Sequence, residues 1–488
     1  MSIVGDRKVN PWLVLVLVCL AQFMVILDAT VVNVALPSIK AGLQFSTADL
    51  QWVVNAYTLT FGGFLLLGGR AADLFGRQRV FLIGLVVFSA ASLFNGLAQS
   101  QGMLVAARAL QGLGGALISP AALSIITTTF EEGPQRTKAL GVWSAIAAGG
   151  AALGLLLGGV LTQAVNWRWI FFVNVPVGIA AFVLSMRFVP ESRVEGQRGV
   201  DVGGAIAVTA GLMAMVYAIV KASTDGWGSS ATLTFGAIAI VLLTTFFMIE
   251  RSFRAPLVRL GIFRTRSLAM SNLAMFMAAG GLFSMFFFMT IYIQTVLGYK
   301  PLQAGFAFLP VTFGIGIGAG TAQQSIKQAG VRATTIVGMV LASGGFVLMG
   351  RIAIDSTYVG TVLPGLLLMS VGMGLTFVPI TLIATTNVTS SDAGLASGLL
   401  NTSQQVGGAL GLAILSTLAA NRSTSFITDL GHVPSPVDQL SGLVQGFRLA
   451  LDAGAGLLLA GAVVVVVFVR AHHVANVATG ASPEPAAA

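Results

Sequence analysis

Two ionisable side chains of opposite sign, Asp28 and Arg108, stand inside long apolar runs of this 488-residue chain. Burying either charge alone in hydrocarbon is expensive, so each should face an aqueous cavity or the other. If both runs are helices crossing a membrane, Asp28 lies about 10–12 Å and Arg108 about 8–9 Å below the same face, at a helical rise of about 1.5 Å per residue. Side chains at matching depth can meet in a water-filled cleft. Burial favours the neutral carboxyl, whereas a neighbouring guanidinium favours the carboxylate. A change in their separation would therefore make Asp28 take up or release a proton. The alternative is a static ion pair that only holds helices together. Proton coupling is the expectation here, because charges inside a membrane are functional by default.

A second set of residues suits recognition of a ligand rather than proton chemistry. Asn33, Tyr57, Gln111, Gln294, Asn401, Gln404 and Gln405 carry hydrogen-bonding groups within apolar sequence, and Phe23 and Met24 offer soft apolar contact. Amides present both donors and acceptors, and methionine and aromatic side chains adapt to varied shapes. Together they are expected to line a substrate cavity, although each alone serves equally well to bond one helix to another. Other chemistry is absent from the sequence. There is no G-x-x-x-x-G-K-[ST] run for ATP, and His472 and His473 are adjacent with no cysteine near them for zinc. No catalytic triad is evident, so neither an enzyme nor a bound cofactor or metal is expected.

The elements that must position these residues are membrane helices. Hydrophobic residues make up 56% of the chain and charged residues only 9%, far below the quarter usual in a soluble domain. The apolar residues fall in blocks of the roughly 20 residues needed to cross a bilayer. Fourteen helices are predicted, over 12–36, 50–69, 79–98, 103–129, 138–163, 169–189, 202–221, 231–249, 268–296, 303–326, 333–353, 358–386, 393–420 and 446–470. The stretch from Asn421 to Gln445 reads as a polar loop. Placing the N-terminus in the cytoplasm puts eighteen of the 26 basic residues at cytoplasmic ends and seven at the opposite ends, with Arg108 inside a helix. That asymmetry predicts both termini inside. The net charge of +9 is spread over these short loops, which argues against nucleic acid as a partner. Cys19 is the single cysteine, so no intrachain disulfide can form.

The connection between the second and third helices reads Gly69-Arg70-Ala71-Ala72-Asp73-Leu74-Phe75-Gly76-Arg77-Gln78-Arg79. A glycine can reverse the chain sharply, and Asp73 can pair with Arg77 or Arg79 in one conformation and release it in another. Gly69, Asp73, Gly76, Arg77 and Arg79 are thus expected to form a conformational-switch loop. This spacing resembles the cytoplasmic-loop signature of the major facilitator superfamily. Leu27-Asp28-Ala29-Thr30-Val31-Val32-Asn33-Val34-Ala35-Leu36-Pro37, Arg108-Ala109-Leu110-Gln111-Gly112, Trp167 to Pro176 and Ser397 to Gly408 resemble, in turn, signatures of its fourteen-helix drug:proton antiporters. One departure stands out: Gly154-Leu155 occurs where the antiporter pattern has Gly-Pro.

The resemblance implies an all-α integral membrane protein of the major facilitator fold. Its N-terminal six-helix half would span 1–189 and its C-terminal half 268–470. A linker over 190–267 would carry two inserted transmembrane helices, and a cytoplasmic tail, 471–488, would be disordered. It further implies a monomeric multi-pass protein of the bacterial inner membrane that exports hydrophobic or cationic drugs or antibiotics in exchange for protons. A dedicated metabolite or lipid exporter, or a membrane sensor that has lost transport, are the alternatives.

Overall fold

A computed structural model describes residues 10–131, 133–193, 199, 201–253, 256–385 and 393–469. The expected tail, 471–488, lies outside them, as do Arg7, Lys8, Arg198, Arg254 and Arg470. Among the described residues the regular structure is entirely helical, because a segment in hydrocarbon must satisfy its own backbone hydrogen bonds. Every predicted block is helical over most of its length. They form α1 (Pro11–Leu43), α2 (Trp52–Phe75), α3 (Arg77–Gly96), α4 (Gln101–Thr129), α5 (Pro134–Ala164), α6 (Asn174–Phe188), α7 (Val202–Asp225) and α8 (Ser230–Ser252). Next come α9 (Arg266–Ile291) and one continuous run, Pro301–Met349, which Gly330 at φ 81° breaks into α10 (301–329) and α11 (331–349). The chain continues through α12 (Leu363–Thr385), α13 (Ala393–Thr428) and α14 (Pro436–Phe468). Eleven of the helical runs, counting Pro301–Met349 as one, are individually long and apolar enough to cross a membrane.

Helix ends follow local chemistry that hydropathy alone does not register. At the start of α1, Asn10 accepts from the Trp12 amide at 3.0 Å, with Pro11 in the first turn, where a missing N–H costs nothing. The helix then continues through Pro37 to Leu43, beyond the expected end at 36. The polar loop expected between Asn421 and Gln445 is mostly helix. Ser435 and Asp438 form a capping box that starts α14 ten residues early, while α13 runs on to Thr428. The reciprocal side-chain and backbone bonds of such a cap satisfy amides that would otherwise lack partners.

The chain divides into two compact units. One comprises Met1–Met215, Gly236–Leu257 and Tyr299–Phe306, and the other Val216–Phe235, Val258–Gly298 and Ala307–Ala488. The insert expected over 190–267 is therefore shared, since the boundary falls inside α7 and α8. Each unit contains the same close helix pair. In the first, Gly154 and Gly158 of α5 lie against α1, where a Cβ would stand 3.0 Å from the Leu27 carbonyl oxygen and 2.7 Å from that of Val31. In the second, Gly407 and Gly411 of α13 leave no room for a Cβ against the Phe276 and Gly280 backbone of α9. Small residues let backbones approach this closely. Gly141 and Gly149, earlier in α5, meet nothing within 4 Å, so not every glycine of that helix serves packing.

Candidate functional site

Five helices of the first unit converge on one buried polar cluster. Asp28 comes from the middle of α1. Arg108 and Gln111, three residues apart, share a face of α4. Ser92 and Asn95 occupy a similar pair of positions near the end of α3, Asn174 opens α6, and α2 adds the Val53 carbonyl and the Tyr57 ring. Arg108 Nη1 donates to Asp28 Oδ2 at 2.6 Å and to Gln111 Oε1 at 2.6 Å, and its Nε donates to the Val53 carbonyl at 3.0 Å. Asp28 Oδ1 accepts from Gln111 Nε2 at 2.7 Å and from Asn174 Nδ2 at 2.9 Å. Gln111 Nε2 also donates to Ser92 Oγ at 2.7 Å, and Asn95 Nδ2 donates to Gln111 Oε1 at 2.8 Å. The guanidinium lies 4.3 Å from the centre of the Tyr57 ring and 5.8 Å from that of Phe171, so aromatic faces add to its stabilisation.

Asp28 and Gln111 are 0% exposed and Arg108 is 1% exposed. The charges are thus sealed from water and held by each other, by hydrogen bonds and by the flanking rings. Such a pair contributes little net stability over apolar packing, but removing one partner strands the other charge at a cost of about 3–5 kcal/mol. All three groups on the carboxylate, from Arg108, Gln111 and Asn174, are donors.

The expected cavity residues separate. Gln111 belongs to the buried cluster rather than to a cavity wall, and Tyr57 lies under Arg108 with its hydroxyl donating to the Val25 carbonyl at 3.4 Å. Met24 is buried, and half-buried Phe23 packs against Gly150 of α5. Asn33 Nδ2 donates to the Ala29 carbonyl of its own helix at 3.3 Å. In the second unit Asn401 and Gln404 come together, lining a cleft of about 310 Å³ with Met275, Phe377, Thr381, Ser397 and Leu400. Gln405 is half-buried outside that lining, and Gln294 sits in a π-turn, Tyr292–Val296, after α9.

The switch sequence is hardly a loop. Gly69 and Asp73 are helical residues of α2, and the reversal is made by Gly76 alone, at φ 108°. Arg77 Nη2 donates to Asp73 Oδ1 at 3.2 Å. Glu191, just past α6, accepts from the Gln78 and Arg79 amides at 3.2 Å each and so caps the start of α3. A Cβ on Gly76 would stand 2.6 Å from that carboxylate. Arg79 reaches Glu191 at 3.6 Å with most of its side chain exposed, a pair worth little in water. Sequence reasoning gave no role to Ser92, Asn95, Asn174 or Glu191. A signal for the first two exists: Ser89, Ser92 and Asn95 recur every third residue in an otherwise apolar block. Glu191 is one of three acids, beside two arginines, in the connection between α6 and α7.

The family model of the Major Facilitator Superfamily matches residues 18–412. A puromycin resistance protein of Streptomyces alboniger is 40% identical over 480 residues, covering 97% of this chain and 95% of that protein. A cephamycin export protein of Amycolatopsis lactamdurans is 41% identical over 420 residues, covering 85% and 86%. Among solved structures, a bacterial homologue of the human lysosomal transporter Spinster superposes with a TM-score of 0.68 at 17% identity, covering 99% of this chain and 100% of that one. At that identity the likeness concerns the fold.

Proposed function

The chain belongs to the major facilitator superfamily of multi-pass membrane transporters, and on that premise we propose that it exports hydrophobic or cationic drugs or antibiotics in exchange for protons. Asp28 is the proton site and Arg108 its partner. The observation that carries this reading is their 2.6 Å ion pair, fully buried inside one unit. Protonating Asp28 removes the counter-ion of a buried guanidinium. A state in which Arg108 regains water or another acceptor then becomes favoured by several kcal/mol. Proton uptake and conformational change are thereby linked thermodynamically, as alternating access requires.

The cleft around Asn401 and Gln404 supplies neutral hydrogen-bonding groups beside Met275 and Phe377, a surface suited to amphipathic molecules of varied shape. In the proposed setting the protein is a monomer in a bacterial inner membrane with both termini cytoplasmic. A narrower reading, export of a single antibiotic, is favoured by relatives whose names each refer to one compound, puromycin and cephamycin.

Inverted vesicles carrying the protein and made acidic inside test the proposal. A fluorescent cation should accumulate in them, and both an uncoupler and Asp28→Asn should abolish the uptake. Gradient-driven uptake that survives Asp28→Asn would place the proton site elsewhere.

A further inference from the structure

Gln111 uses every hydrogen-bonding position of its side-chain amide. Nε2 donates to Asp28 and Ser92, while Oε1 accepts from Arg108 and Asn95. Its orientation is dictated by its neighbours, since a guanidinium can only donate and an ionised carboxylate can only accept. Asn95 is satisfied on one side alone: its Nδ2 donates to Gln111, whereas its Oδ1 is buried with no partner. Buried polar atoms are rarely left so, and this one acquires a partner in a second arrangement of the same side chains.

That arrangement follows from protonating Asp28. The carboxyl gains one O–H, and with that proton on Oδ1 the Gln111 nitrogen facing it gives way to an acceptor. A half-turn of the Gln111 amide brings Oε1 to the carboxyl and Nε2 to Asn95. A matching half-turn of Asn95 presents Oδ1 to that Nε2 and moves Nδ2 to the place Oδ1 held, and the Ser92 hydroxyl turns to donate to Gln111 Oε1. Arg108 Nη1 then meets a donor where Gln111 Oε1 stood, and at Asp28 only an uncharged carboxyl oxygen in place of a carboxylate. One proton has been added to Asp28, and the guanidinium keeps its charge.

We propose that Gln111 and Asn95 act as a paired amide switch, positioning residues that convert protonation of Asp28 into release of Arg108. This rests on Asp28 being the proton site. The other groups around the carboxylate do not compete for the proton. Tyr57 on α2 faces the guanidinium with its ring, Ser92 on α3 and Asn174 on α6 are neutral, and Phe171 before α6 is apolar. α5 bears its charged residues, Arg136 and Lys138, in its first two turns.

Infrared difference spectra of the purified full-length protein between neutral and acid pH, with glutamine side chains labelled with carbon-13, test the switch. A carboxylic band absent from Asp28→Asn should appear together with a shift of the labelled amide band. Asn95→Leu, which removes the acceptor needed by the turned Gln111, should abolish the amide shift. It should also lower turnover about tenfold, as one unmet buried donor implies, with little change in half-saturating substrate. Asn95→Thr, whose hydroxyl can donate or accept, should recover the turnover. An Asp28 carboxylic band without the amide shift, or Asn95→Leu with native turnover, overturns the switch and leaves Asp28 as the proton site. Equal losses in Asn95→Leu and Asn95→Thr with the amide shift intact also overturn it, leaving Asn95 as packing. A carboxylic band that persists in Asp28→Asn removes the proton site itself.

Discussion

A buried guanidinium is tolerated only while something answers its charge, and in this protein that is Asp28. Asp28→Asn leaves Arg108 stranded, so it should lower the thermal midpoint of the detergent-solubilised protein, by an amount reflecting about 3–5 kcal/mol. Asp28→Asn combined with Arg108→Gln removes both charges and should be the more stable of the two variants. A double variant less stable than Asp28→Asn alone would show that Arg108 is held chiefly by the Val53 carbonyl and the Tyr57 ring. The pairing of Asp28 with Arg108 was legible in the sequence, because two charges at matching depth in apolar helices have few other partners. The roles of Gln111, Asn95, Ser92 and Asn174 were not. A neutral amide in an apolar helix reads the same whether it faces a cavity or a buried charge, and only the neighbouring helix distinguishes the two.

At the scale of helices, close approach separates glycines that matter from those that do not. Gly411 abuts the Gly280 backbone, whereas Gly149 has open space around it. Gly411→Val should force α9 and α13 apart and cost about 1–3 kcal/mol, read as a lower thermal midpoint, while Gly149→Val should leave it nearly unchanged. Equal effects of the two substitutions would argue against the α9–α13 contact. Hydropathy located each of the fourteen long helices among the described residues, since a run of about 20 apolar residues reads as a span wherever it lies. It misjudged the ends of α1, α13 and α14, because Pro37 is accommodated within a helix and Ser435 caps one through a hydrogen bond. It also placed a loop at Gly69, where the chain remains helical until Gly76. There the turn requires a positive φ, which glycine adopts freely, and the space beside it is filled by Glu191, more than a hundred residues away in sequence.

For the whole molecule, the placement of basic residues makes a claim about orientation that labelling can test. Cys19 is buried, so a cysteine introduced on the surface should be labelled alone by an impermeant thiol reagent. Val433→Cys, in the short connection between α13 and α14 where the side chain is 90% exposed, should react in intact cells. Arg264→Cys, in the arginine-rich connection before α9, should react only after the membrane is opened. The reverse pattern would invert the proposed topology. The sequence by itself determined that this chain is a membrane protein of many helices, because the length and greasiness of each segment settle that one segment at a time. It also determined the superfamily, through short motifs whose spacing is preserved along the chain. Only the tertiary structure decided which polar groups share a site. Hydrogen bonds between helices depend on rotation and crossing, and these follow from backbone contacts at residues such as Gly154, Gly158, Gly407 and Gly411 rather than from any local pattern.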